Sequence, residues 1–106
     1  MTTFAAIQQL VKNQDIRISD HGYDELANDG LTAKEVVSGV KDAVLLEDYP
    51  NYKKGASILA LQKSKKGEII HVVWGIPKDN DRPAVLITAY KPEPKRWNNT
   101  FTVRLK

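Results

Sequence analysis

Ile69-Ile70-His71-Val72-Val73-Trp74-Gly75-Ile76 decides how the rest of the chain is read. It is an extended-type run rich in β-branched side chains, and His71 is almost its only polar residue. Apolar side chains fall on both parities of the run, so a strand here needs cover on both faces and belongs in the middle of a sheet. Turn-rich separators bound it, Ser64 to Gly67 before and Pro77 to Pro83 after, and beyond them lie two more strand-like runs, Ser57 to Gln62 and Ala84 to Tyr90. Connections this short join antiparallel neighbours.

Working outward, Ala43 to Leu46 and Phe101 to Leu105 also read as strands, with Phe101 to Leu105 at an edge. Upstream the period is helical. Phe4, Ile7, Leu10 and Val11 mark a helix over residues 4 to 13, with Thr2 or Thr3 as N-cap. Ile16-Arg17-Ile18 is a brief extended piece, after which Ser19 or Asp20 caps a second helix whose apolar face is Tyr23, Leu26 and Ala27. Gly30 suits the left-handed position that ends it. Thr32-Ala33-Lys34-Glu35 has the capping-box pattern, followed by Val36, Val37 and Val40. The expectation is one α+β domain over residues 1–106, with two or three N-terminal helices packed on a four- to five-stranded antiparallel sheet.

The composition fits a self-folding globule: 106 residues, 42% hydrophobic and 27% charged. The chain has no cysteine, which removes disulfides, thiolate metal sites and cysteine nucleophiles and suits a reducing cytosol. No basic residue precedes the short apolar run at Met1 to Val11, and no apolar stretch approaches the ~20 residues of a membrane span, so no membrane association and a cytoplasmic location are expected. Charge is unevenly distributed. Residues 1–50 hold four Lys/Arg against nine Asp/Glu, a net of −5, whereas residues 51–106 hold twelve against four, a net of +8. A basic sheet half points to a polyanion or an acidic protein as partner, or is simply solvated charge.

The two histidines, His21 and His71, are candidates for proton transfer near neutral pH. His21 opens the second helix with Glu25 one turn on, where it either orients a working ring or merely bonds the local backbone. His71 shares its strand face with Val73 and Gly75, and the glycine leaves room for close approach; a satisfied core histidine is the alternative. Tyr90 ends its strand and leads into Lys91-Pro92-Glu93-Pro94-Lys95-Arg96-Trp97, where cations accompany a ring that could stack on an unpaired base or close the core. Asp20, Asp24 and Glu25 have the spacings of any polar helix face, so no metal and no cofactor is assigned. Glycine-rich phosphate loops, Gly-x-Ser-x-Gly elbows and His-Glu-x-x-His pairs do not occur.

Ser19-Asp20-His21-Gly22-Tyr23, Glu47-Asp48-Tyr49-Pro50, His71-Val72-Val73-Trp74 and Tyr90-Lys91-Pro92-Glu93-Pro94 with Trp97 together resemble a family of small bacterial domains of unknown function. That family is similar in layout to the RelE, MqsR and BrnT toxins, though many members carry Arg where this chain has Glu25 and Asp29. The resemblance implies a toxin-type, metal-independent endoribonuclease with RNA as substrate and a small antitoxin protein as partner. Under it, His71 and Tyr90 transfer protons, His21 assists, and Arg82, Lys91, Arg96 and Trp97 hold the RNA. Two rival readings stay open: a non-catalytic RNA- or protein-binding module, and an interaction protein that forms a homodimer through the Phe101 to Leu105 edge.

Overall fold

The computed structural model describes residues 1–105. Three helices, α1 (Thr3–Lys12), α2 (Asp20–Asn28) and α3 (Ala33–Ser38), pack on a sheet of five strands: β1 (Ile16–Ile18), β2 (Val44–Tyr49), β3 (Ser57–Lys63), β4 (Ile69–Gly75) and β5 (Ala84–Tyr90). The sheet order is β1-β5-β4-β3-β2, so β4 lies in the middle, where its two-sided apolar pattern requires it. The three pairings among β2, β3, β4 and β5 are antiparallel, as their short connections dictate, while β1 joins the outer edge of β5 in parallel.

The fifth strand is therefore Ile16–Ile18 and not the expected Phe101 to Leu105. Phe101 has a positive φ of 59°, which no extended run accommodates, and the chain folds back so that Trp97 and Arg104 form a single antiparallel bridge. Asn98 holds this closed loop together, its Oδ1 accepting from the backbone N–H groups of Thr102 and Val103 at 2.9 and 3.2 Å. Residues 101–105 thus form no edge strand of the sheet.

Each helix starts where a capping side chain meets its first orphan amides. Thr2 Oγ1 accepts from Ala5 N at 3.1 Å, Ser19 Oγ from Gly22 N at 2.9 Å, and the Thr32/Glu35 box closes in both directions. Gly30 takes the left-handed conformation, φ 65°, just beyond α2. The helices bury Ile7, Val11, Leu26 and Val36 against one face of the sheet, which presents Ile58, Ala60, Ile70, Val72, Trp74, Leu86 and Ala89. One polar side chain is sealed into this layer. Gln62 accepts from Trp74 Nε1 at 2.9 Å and donates to the Val36 carbonyl at 2.7 Å, so that neither the indole N–H nor the amide is left unpaired.

Two β-bulges interrupt the pleat. On β5 the register against β4 slips between Leu86 and Thr88, leaving Ile87 as the extra residue; on β2 it slips against β3 between Leu45 and Glu47, leaving Leu46. Each bulge reverses the facing of every later residue in its strand. Ala84, Leu86 and Ala89 point into the helical layer, and Tyr90 consequently points away from it.

Helix α2 grips the β5 bulge. Ser19 N donates to the Leu86 carbonyl at 3.0 Å and Ser19 Oγ to the Ile87 carbonyl at 2.8 Å, while a Cβ on Gly22 would stand 2.8 Å from the first of these oxygens and 3.2 Å from the second. Only glycine allows the helix so close. Gly22→Ala should therefore lower the unfolding free energy by about 1–3 kcal/mol, because the overpacking against fixed backbone outweighs alanine's helix propensity advantage of about 1 kcal/mol. A urea denaturation midpoint that stays unchanged or rises would show that α2 can move away from β5 at no cost.

Candidate functional site on the helix-free face

The face of the sheet opposite the helices carries the ionisable side chains. His71 on β4 stands between its cross-strand partners Leu61 on β3 and Tyr90 on β5. The outermost strand of this side, β2, adds Glu47 opposite Leu59 and Tyr49 opposite Ser57. The loop from Arg96 to Leu105 folds over this end of the sheet and supplies Trp97, the Phe101 carbonyl and Arg104.

His71 is completely buried. Its Nε2 lies 2.8 Å from the Phe101 carbonyl oxygen. A carbonyl can only accept, so Nε2 carries the proton and Nδ1 presents an unprotonated lone pair, which has no hydrogen-bond partner among the described residues. The ring meets Trp97 edge-on, centroids 4.3 Å apart, and Tyr90 in the same manner at 5.7 Å. Burial pushes the imidazole pKa below its ordinary value, against the smaller opposing effect of the Phe101 hydrogen bond, so the ring is neutral at physiological pH. Burial pushes the Tyr90 phenol up, which keeps it protonated.

A cation stands beside this pair. Arg104 grips Glu47 through two hydrogen bonds, Nε to Oε2 at 2.8 Å and the terminal nitrogen to Oε1 at 3.2 Å, and its guanidinium lies 4.8 Å from the centroid of the Trp97 ring. Tyr49 donates its hydroxyl to Glu47 at 2.7 Å. The Arg104 and Tyr49 bonds hold the Glu47 carboxyl below the usual carboxylate range, with Arg104 the larger influence, and the same carboxylate raises the Arg104 and Tyr49 pKa values. Sequence reasoning assigned no role to Glu47, Tyr49 or Arg104. The Glu47-Asp48-Tyr49-Pro50 motif was the available signal for the first two; nothing in the local pattern marked Arg104.

The other sequence candidates are dispersed. His21 sits on α2, in the helical layer, largely exposed and 3.8 Å from Glu25. Arg82 lies before β5, at the opposite end of that strand from Tyr90, and makes a two-point ion pair with Asp15. Lys91 pairs with Glu68 at 3.4 Å and Arg96 with Glu93 at 3.3 Å, both at the surface. Trp97 is 4% exposed and packs over His71, so its ring faces are committed to protein. The room beside Gly75 is occupied by the Ile87 side chain, whose Cδ1 would lie 2.8 Å from a Cβ there.

Among the described residues, no group of three His, Asp or Glu side chains could hold a metal ion, and no helix is long and apolar enough to cross a membrane. Residues 18–91 match the profile of a family described as a domain of unknown function, DUF4258. No curated protein and no solved structure matches the chain.

The neutral, buried state of His71 has a consequence for stability. In the unfolded chain the imidazole titrates near pH 6.5, whereas in the fold its pKa is depressed. The contribution is therefore fully present above about pH 6.5 and is lost as pH falls from there toward the lower, folded pKa. The melting temperature should drop between about pH 7.5 and pH 5, and His71→Gln, which keeps a donor for the Phe101 carbonyl and cannot titrate, should flatten that drop. Parallel profiles for the two proteins would show that another group is responsible.

Proposed function

We propose a function for this chain, which belongs to the DUF4258 family, from the chemistry of its helix-free face: metal-independent cleavage of RNA, in the manner of a bacterial toxin. The observation that carries the reading is the unpartnered Nδ1 of His71, in a ring that meets Tyr90 edge-on at 5.7 Å and, at 4.3 Å, the Trp97 ring against which Arg104 lies. Burial lowers the imidazole pKa and raises that of the phenol, so at neutral pH the ring of His71 is free to accept a proton and Tyr90 still holds one to give.

In the proposed reaction His71 Nδ1 takes the proton from a ribose 2'-hydroxyl, whose oxygen attacks the adjacent phosphorus. The bond from phosphorus to the 5'-oxygen breaks, and Tyr90 gives its proton to that leaving oxygen. A 2',3'-cyclic phosphate and a 5'-hydroxyl result. Arg104 neutralises the charge that develops on the phosphoryl oxygens, and Glu47 and Tyr49 position it. Because His71 is fully covered, RNA gains access only when the Trp97 to Phe101 part of the loop moves aside while the Arg104 pair with Glu47 stays closed. A small antitoxin would be the natural partner of such a face, and the +8 charge of residues 51–106 suits an RNA substrate.

A second reading, a non-catalytic RNA- or protein-binding module, is favoured by that same complete burial, since a core histidine bonded to a backbone carbonyl serves structure alone. The two readings separate on incubation of the purified protein with single-stranded RNA in excess chelator. Cleavage with cyclic phosphate ends is expected, and His71→Gln and Tyr90→Phe should each slow it by about 10²–10⁴-fold. RNA recovered intact, or cut equally fast by the double variant, rejects the nuclease reading.

A further inference from the structure

Beyond the His71 end, the helix-free face holds a second feature: a groove of about 310 Å³ along the opposite end of β4 and β5. Gly75, Val85 and Ile87 form its floor, and Arg17, Tyr52 and Lys54 line its sides. The sheet positions Arg17 directly. Its strand partner is Val85, and with Ile16 and Ile18 packed against the core the intervening side chain stands on the outer face. The bulge at Ile87 lays that apolar side chain across Gly75 and so shapes the floor.

The wall opposite is fixed by backbone. Lys54 accepts from Lys78 N at 3.1 Å and Ala56 from Ile76 N at 2.9 Å, and Gly55 between them has φ 127° with the Ile76 carbonyl where its Cβ would be. No side chain fits there, so the loop carrying Tyr52 and Lys54 is seated on the sheet and does not collapse into the groove. Tyr52 is about half exposed. No carboxylate lines the groove, and among the described residues Arg17 and Lys54 form no ion pair, in contrast to Arg82, Lys91, Arg96 and Arg104.

We infer that this groove is a binding subsite for one nucleotide of single-stranded RNA. The base would lie on the apolar floor against the Tyr52 ring, and Arg17 and Lys54 would hold the flanking phosphates. Two unpaired cations with an aromatic ring and an apolar floor, free of acidic side chains, complement a planar ring attached to a phosphate and repel nothing in it. Gly75 lies four positions along β4 from His71, roughly 13 Å at strand rise, so a strand seated in the groove and running along β4 would reach the covered histidine. This rests on the reading of the chain as an RNA-directed protein and adds to it where the strand is held.

The test measures anisotropy of a fluorescein-labelled single-stranded RNA hexamer at about 50 mM salt, where phosphate contacts are strong. Arg17→Ala, Lys54→Ala and Tyr52→Ala should each raise Kd by about fivefold or more, and Tyr52→Phe should stay near the native value. Circular dichroism and melting curves confirm that each variant is folded. Native affinity in the three alanine variants overturns the groove while leaving the cleavage reading standing if RNA is still cut. Binding through the groove with no cleavage upholds the inference and rejects the nuclease. Absence of binding by the native chain, or displacement of RNA by polyglutamate at equal charge concentration, overturns the assignment to nucleic acid.

Discussion

The interrupted pleat of the sheet is the constraint on which the helix-free face depends. In an unbroken β5, strict alternation from Ala84 would send Tyr90 into the helical layer; in an unbroken β2, alternation from Leu45 would do the same to Glu47. One extra residue in each strand, Ile87 and Leu46, brings both side chains round to the face of His71. The β5 bulge is held by α2, through Ser19 bonded to the carbonyls of Leu86 and Ile87 and through the missing Cβ of Gly22. The Ser-x-His-Gly stretch thus contributes its serine and glycine to the architecture, while His21 between them faces solvent.

Strand β4 makes a second demand, since both of its faces must be covered. Three helices cover Ile70, Val72 and Trp74. On the other side the closed loop from Arg96 to Leu105 covers only the His71 end, and the groove occupies the rest. The loop is fastened by few interactions, chiefly the Phe101 carbonyl on His71, the Trp97 ring and the Arg104 pair with Glu47. The first two cover His71, whereas the third holds Arg104 to strand β2.

Much of the fold was legible in the chain. Two-parity apolarity placed β4 centrally, short turns made its neighbours antiparallel, and the Thr32/Glu35 box and Gly30 marked helix ends where they occur. Phe101 to Leu105 was misread because its alternating pattern is that of an edge strand, and only the packing of Trp97 against His71 shows why the chain turns back there. The basic residues that looked most available, Arg82, Lys91 and Arg96, are occupied by carboxylates distant in sequence or one turn away. Arg17 and Lys54 line the groove.

By itself the sequence determined the three helices and the order of strands β2 to β5, because hydrophobic period, caps and turn residues act over a few neighbouring positions. It also determined that His71 would sit within the central strand. Which side chains meet His71 was decided only by the tertiary structure. A bulge shifts every later residue by one position without leaving a pattern in the strand that carries it, and a backbone carbonyl such as that of Phe101 has no letter in the sequence.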